Sequence, residues 1–365
     1  MTTKILIVDD SRIFRSALEA GLSGEKDIQI VGSVWNGIKA IEFIESTPPD
    51  LVTLDIEMPD MDGLETLEAI QKINATLSPD NQIGVIMLSS YTQKGADITV
   101  KALEMGAFDF IPKPEGHNLQ ENIKILCSQL LVKIRNYTST HIPSALRKPH
   151  VSKQKKTRPI SHIIKDAGQI DAILIGVSTG GPKALAELLP SLCEKIEIPV
   201  FIVQHMPPTF TQSLAKSLNI KCRYTVLEGR HNDYVQDRHA YIAPGGRHMM
   251  LTLKQQKVRI NVNDLPPEKG CRPSVNMLFR SGATVYGRNV IAVILTGMGA
   301  DGTEGASVLK KKGAFILAQD EESCVVWGMP GNAFASGNVD KVYPLSEIPG
   351  AIIEMLPKPV KSRKR

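Results

Sequence analysis

The feature that most constrains this chain is a set of short apolar runs, each ending in a residue with chemistry of its own. ILIV at 5–8 runs into Asp9 and Asp10, LVTL at 51–54 into Asp55, and IGVIML at 83–88 into Ser89. IQIVGSV (28–34) and FDFI (108–111) complete five such runs in the first 130 residues, the last leading through Pro112 to Lys113. Amphipathic stretches such as RIFRSALEAGL and LETLEAIQKI lie between them. Strands buried on both faces read as continuous apolar runs, and their alternation with helices specifies a doubly wound parallel sheet of the α/β class. Ligands of such sheets gather at the carboxyl ends of the strands, so the residue just past each run is a candidate for function.

The alternation fades from Asn136 to about Lys165, where Pro, Ser, Thr, Lys and His dominate, and resumes from Ile170. We expect a first domain over 1–130, a basic linker over 131–165, a second domain over 166–355 and a basic tail over 356–365. A length of 365 residues suits two ordinary domains. Residues 122–165 hold seven Lys and three Arg with no acid, and the tail adds five more basic residues. The whole chain carries only +5, so its two folded parts are net acidic and no nucleic-acid partner is expected. Both basic segments read as solvated chain. No apolar run reaches the ~18–20 residues that span a bilayer, so no membrane insertion is expected. MTTKILIVDD reads as a buried strand rather than a signal peptide. The five cysteines (127, 193, 222, 271, 324) form no CxxC pair, which speaks against a zinc or disulfide framework and for a cytoplasmic location.

In the first domain, Asp9, Asp10, Asp55, Ser89 and Lys113 converge on one sheet edge. Close carboxylates repel unless protonated or bound to a hard cation, and an all-oxygen site suits Mg²⁺. A cation and a lysine together can stabilise a phosphoryl group on one carboxylate. Singly, each residue has a plainer reading: Asp9 or Asp10 as a helix cap, Ser89 and Lys113 as loop residues.

In the second domain, AILIGVSTGGPKAL (172–185) passes from a strand through glycines and a serine into a helical pattern. VFIVQ is followed by His205, and VIAVILT leads through GMGA to Asp301. A nucleophile, a base and an acid thus each follow a separate strand, which parallel pairing would bring to one rim. Gly176-Val-Ser178-Thr-Gly180 fits a GxSxG elbow, and the free amides of the following helix are natural oxyanion donors. The chain order Ser, His, Asp is not that of ordinary α/β-hydrolases, which run Ser, Asp, His. Plainer readings are Ser178 as a helix cap, His205 as a core histidine and Asp301 as a turn former. Cys271, beside Lys269 and Arg272, is an alternative nucleophile without a histidine evidently dedicated to it. His248 in YIAPGGRHM is a candidate to line the cleft.

The stretches ILIVDDS, LVTLDIEMPDMDG, MLSS and FIPKP closely resemble the receiver domain of two-component response regulators, over roughly 1–130. The resemblance implies a flavodoxin-like, five-stranded receiver in which Asp55 accepts phosphate from a histidine kinase. Asp9, Asp10 and Asp55 would hold Mg²⁺, Lys113 would contact the phosphoryl group, Ser89 would be the switch hydroxyl and Phe110 the rotating aromatic. IGVSTGGPKAL, VFIVQHMP, YIAPGGRHM, CRPSVNMLF, VILTGMGADG and AQDEESCVVWGMP resemble the catalytic domain of the CheB family, chemotaxis methylesterases and glutaminases, over about 170–350. That resemblance implies a doubly wound methylesterase domain with a mostly parallel sheet. In it Ser178 is the nucleophile, His205 its base, Asp301 the residue orienting His205, and Thr179 and Met298 shape the oxyanion side. It further implies methyl-accepting chemoreceptors as substrates, deamidation of specific glutamines, restraint of the hydrolase by the unphosphorylated receiver, and no cofactor for ester cleavage. The chain departs from the family at Asn276, where aspartate is common. Two other classes remain open from the residues alone: a regulator binding a nucleotide or anion at 176–182 without chemistry, and a DNA-binding regulator using the basic segments.

Overall fold

The computed structural model describes residues 2–114, 119–140 and 169–356. They form two compact units, taken in turn. The first holds five strands, β1 (Thr3–Val8), β2 (Ile28–Val34), β3 (Leu51–Asp55), β4 (Gly84–Ser89) and β5 (Asp109–Pro112). They pair in parallel in the order β2-β1-β3-β4-β5, the flavodoxin-like order. Each expected apolar run is a strand, and β1, β3 and β4 are buried along nearly their whole length. The strand order reverses between β1 and β3. Val8 pairs with Leu54 there, so Asp9 and Asp55 follow side by side at the carboxyl edge.

The last helix of this unit, Leu119–Thr140, runs ten residues past the expected boundary at 130. Leu126, Leu130, Ile134 and Tyr137 are buried along one face of it, an apolar stripe at helical spacing. Two of the basic residues read as solvated linker serve the fold instead. Lys133 lies 2.7 Å from Asp109, and Arg135 pairs with Glu25 and Asp27. The rest of the expected linker, residues 141–165, and all but Leu356 of the expected tail lie outside the described residues.

In the second unit seven strands pair in parallel in the order β14-β13-β12-β6-β7-β9-β8. They are β6 (Ala172–Val177), β7 (Val200–Gln204), β8 (Thr225–Glu228), β9 (His239–Ile242), β12 (Val290–Ile294), β13 (Phe315–Gln319) and β14 (Lys341–Tyr343). A separate antiparallel hairpin, β10 (His248–Lys254) with β11 (Lys257–Asn263), packs its apolar face into the same core. It leans on the helix Val275–Val285, where the Ser281 hydroxyl accepts a hydrogen bond from Leu251 N at 3.0 Å. The chain leaves β6 for β7 on one side and returns much later to β12 on the other. A topological switch point therefore lies at the carboxyl ends of β6 and β12, where such sheets bind ligands.

Candidate active site and phosphoacceptor site

Ser178, His205 and Asp301 stand together at that switch point. Val177 pairs with Gln204, which puts Ser178 and His205 at neighbouring positions on adjacent strands, and His205 N bonds Val177 O at 3.1 Å. On its other side, Ser178 N bonds Thr296 O at 3.0 Å, two residues past the end of β12. Gln204 donates from Nε2 to the carbonyls of both Ser178 (2.9 Å) and His205 (3.3 Å), tying nucleophile turn to base strand. Neither Gln204 nor Thr296 was expected from the sequence; each is a polar residue in an apolar run.

The helix-cap reading of Ser178 does not hold. The N-cap of the helix Gly181–Cys193 is Gly180, in a left-handed conformation and with no side-chain cap, so Ser178 is not the cap. Gly176 and Gly181 are used for packing inside the protein. A Cβ on the first would lie 2.3 Å from Val275 Cγ1, and on the second 1.9 Å from Gln204 Oε1. An anion cradle needs its glycine backbone open to the ligand, which weighs against the nucleotide-binding alternative.

Asp301 is almost wholly buried and fully engaged. Its carboxylate accepts from Ser274 Oγ (2.9 Å), Val275 N (2.7 Å), Asn276 N (3.0 Å) and Gly302 N (2.9 Å), and pairs with His205 Nε2 at 2.9 Å. It thus sits at the N-terminus of the helix Val275–Val285, where the helix dipole favours an anion. Burial alone would raise its pKa, but the hydrogen bond and charge of His205 and the backbone N–H groups hold it below the usual carboxylate range. Burial also works against a charged His205. The bonds to Asp301 and Cys271 outweigh it and push the pKa up to about 9. An ionised partner at Nε2 places the proton there, which leaves Nδ1 as the basic nitrogen. The Ser178 hydroxyl is half-buried and makes no hydrogen bond to His205 among the described residues; such bonds commonly tighten only when substrate is bound.

Asn276, where the family commonly has aspartate, accepts from Gly302 N (3.1 Å) and Gly305 N (2.7 Å) through Oδ1. It fastens the Asp301 turn without needing a charge. A Cβ on Gly297 would come 2.7 Å from Ser178 Cβ, so the backbone leading to exposed Met298 passes beside the nucleophile. Thr179 follows it directly, its carbonyl held by Thr296 Oγ1 at 3.0 Å. Cys271 Sγ lies 3.8 Å from His205 Nδ1, so it does have a histidine beside it. His205, Cys271 and Asp301 also lie close enough together to resemble a metal cluster, but Cys271 and Asp301 meet opposite nitrogens of the ring, and one ion could not replace both contacts. His248 does not line the cleft. It is fully buried at the start of β10, with Nε2 3.1 Å from Pro266 O.

In the first unit, Lys113 Nζ lies 2.9 Å from Asp9 Oδ2 and 2.8 Å from Asp55 Oδ1. Burial and the charge of Asp9 push the Asp55 pKa up to about 6, with Lys113 pulling against them. Burial likewise opposes the charge on Lys113, but the two carboxylates raise its pKa above the usual value. Asp9, Asp10 and Asp55 offer oxygens within 4.8 Å of one another, a hard donor set that fits Mg²⁺. Neither Asp9 nor Asp10 is the helix cap. Ser11 is, through its bond from Phe14 N, while Asp9 Oδ1 accepts from Ser11 N at 2.9 Å. Ser89 is buried and accepts a 2.6 Å bond from Thr99 Oγ1, beside the Gly95 carbonyl. Phe110 is buried on β5.

The profile of the CheB methylesterase family matches residues 173–352, and that of the response regulator receiver domain matches 5–124. A protein-glutamate methylesterase/protein-glutamine glutaminase of Desulfotalea psychrophila is 41% identical over 96% of this chain and 97% of its own. One from Pyrococcus horikoshii is 38% identical over 96% of this chain and 93% of its own. The crystal structure of the Thermotoga maritima CheB methylesterase catalytic domain is 39% identical and covers 52% of this chain and all of its own, with a TM-score of 0.50.

Proposed function

The chain belongs to the family of protein-glutamate methylesterases/protein-glutamine glutaminases, a CheB methylesterase domain preceded by a receiver domain, and from this we propose a phosphorylation-regulated serine hydrolase acting on chemoreceptors in bacterial chemotaxis. The observation that carries the catalytic half is the His205–Asp301 pair at the sheet rim, one ladder position from Ser178. His205 Nδ1 takes the Ser178 proton as the oxygen attacks the side-chain carbonyl of a methylated glutamate. Asp301 keeps the other ring proton at Nε2 and stabilises the imidazolium that forms. Backbone amides at Thr179 and Met298, which flank Ser178 in the turn and on the neighbouring loop, would donate to the developing oxyanion. The imidazolium then protonates the ester oxygen as its bond to the carbonyl carbon breaks and methanol leaves, and a water activated by the same nitrogen releases glutamate from Ser178. Attack on a glutamine side chain follows the same course and releases ammonia.

In the receiver, Asp55 accepts a phosphoryl group from a histidine kinase. Asp9, Asp10 and Asp55 would hold Mg²⁺, whose charge offsets that of the phosphoryl oxygens. Lys113, already poised between two carboxylates, pairs with the same oxygens. Ser89 turns from Thr99 toward them, and Phe110 moves into the space this leaves. The protein works in the cytoplasm, where receptor tails and kinase meet. Methanol release from methylated receptor membranes, with and without a small-molecule phosphodonor, tests the reading. Release that the phosphodonor accelerates supports it, and no release above background contradicts it.

A further inference from the structure

A second nucleophile shares the base. Cys271 closes a four-residue turn in which Glu268 N bonds Cys271 O at 3.0 Å and Cys271 N bonds Glu268 O at 2.9 Å. The two central residues, Lys269 (φ 53°) and Gly270 (φ 77°), both take left-handed backbone, as a tight type I′ turn requires. Ion pairs pin this turn to two helices. Glu268 Oε1 accepts from Arg280 Nη1 at 2.8 Å, and Lys269 Nζ lies 2.8 Å from Glu304. The thiol is half-buried and reachable, with Sγ 3.8 Å from both His205 Nδ1 and the Lys269 carbonyl oxygen. Asp301 occupies Nε2, so Cys271 and Ser178 must draw on the same nitrogen.

We propose that Cys271 and His205 form a reactive thiol–imidazole pair, and that oxidation of Cys271 by a hydroperoxide reversibly withdraws His205 from Ser178. An imidazole that accepts the thiol proton leaves the thiolate, which is the nucleophilic form of cysteine. The thiolate attacks one peroxide oxygen, a sulfur–oxygen bond forms and the oxygen–oxygen bond breaks. The displaced oxygen leaves as water or an alcohol, taking the proton His205 held. Sulfur is oxidised by two electrons and the peroxide reduced by two. The new sulfenic hydroxyl stands beside Nδ1 and donates to it, so the nitrogen no longer accepts from Ser178. One low-molecular-weight thiol displaces water to give a mixed disulfide, and a second restores Cys271. This inference rests on the Ser178–His205–Asp301 reading for its effect on hydrolysis, but not for the reactivity of the thiol.

The other cysteines supply controls. Cys127 and Cys193 are buried. Cys222 ends the helix that follows β7, which puts it at the opposite edge of the sheet from Ser178. Cys324, half-buried after β13, is the control nearer the site. The test has two arms on the full chain. Alkylation of Cys271 by iodoacetamide, followed by peptide mass spectrometry, should be at least ~10-fold faster in the wild type than in His205→Gln. Equal rates would overturn the pair. Hydrogen peroxide should lower hydrolysis of a small ester at least ~10-fold, with dithiothreitol restoring it, as the base is lost to the serine. Each protein is compared with its own untreated rate. Cys271→Ala should resist the peroxide while Cys324→Ser should not. Loss persisting in Cys271→Ala, or full activity with Cys271 shown oxidised, would overturn the inference. An untreated protein that cleaves no ester would contradict the esterase reading instead, and the alkylation arm alone would then decide the pair.

Discussion

Asp55 and Asp301 are both buried carboxylates at the carboxyl edge of a parallel sheet, yet their acidities diverge. Asp55 shares its pocket with Asp9 and is pushed up to about 6. Asp301 is held below the ordinary range. Burial opposes ionisation at both, so the difference lies in what each faces. One backbone N–H, from Ile56, and the Lys113 ammonium serve Asp55 against a competing carboxylate. Three backbone N–H groups, a hydroxyl and an imidazole all converge on Asp301. The first site is short of positive charge and suits a cation and a transient phosphoryl group. The second is saturated and suits a permanent anion that fixes an imidazole.

The sharpest break in this comparison is at the group Asp301 serves indirectly. Ser178→Ala should lower kcat for methanol release at least ~10³-fold, because members of a triad act as a unit. Near-wild-type release from a folded variant would remove the serine from the account. Asp301→Asn tests the saturated site itself. It should lower kcat by roughly 10²–10⁴, since the amide favours the wrong imidazole tautomer, and activity within twofold of wild type would make Asp301 a mere helix cap. The raised pKa of His205 gives a pH dependence with a definite sign. On the proposed mechanism only the neutral ring can accept the Ser178 proton, and its share grows as pH rises toward that value. Hydrolysis should therefore rise by about tenfold per pH unit and level off near pH 9. Cys271→Ala removes a partner that favours the charged ring, so its rise should come at lower pH; a flat profile from 6 to 9 would contradict the assignment. At the cation-poor site, Asp55→Asn should abolish phosphodonor acceleration, on the order of tenfold, while leaving the basal rate in place. The smallest effect is Asn276→Asp. Its two acceptor contacts are kept, but a second buried carboxylate beside Asp301 favours the charged imidazole, so the rise of methanol release should move to higher pH while its plateau changes by less than about threefold.

The strand-end residues were legible in the sequence for a physical reason. A parallel sheet buries its strands, so Asp9, Asp55, Ser178 and His205 interrupt otherwise apolar text at the one edge where polar groups converge. The surroundings that set their acidity were not legible. Ser274 and the amides of Val275 and Asn276 reach Asp301 only because a helix earlier in the chain begins there. Gln204 and Thr296 read as strand residues until the neighbouring strands are in place. The hairpin β10–β11 gave no turn signal because Gln255 and Gln256 occupy its left-handed positions (φ 52° and 60°) in place of the usual Asn-Gly. The helix ending at Thr140 extends into the basic stretch because Lys133 and Arg135, which read as linker charge in sequence, have acidic partners on the receiver. Cys271 looked isolated because its histidine is 66 residues away in sequence.

A fluorophosphonate probe tests the central claim most directly, since it phosphonylates fastest a serine whose proton a nearby base removes. Peptide mass spectrometry of the labelled full chain should place the adduct on Ser178, with labelling lost in His205→Gln and strongly slowed in Asp301→Asn. An adduct on another residue, or labelling of Ser178 that is indifferent to both substitutions, would contradict the account.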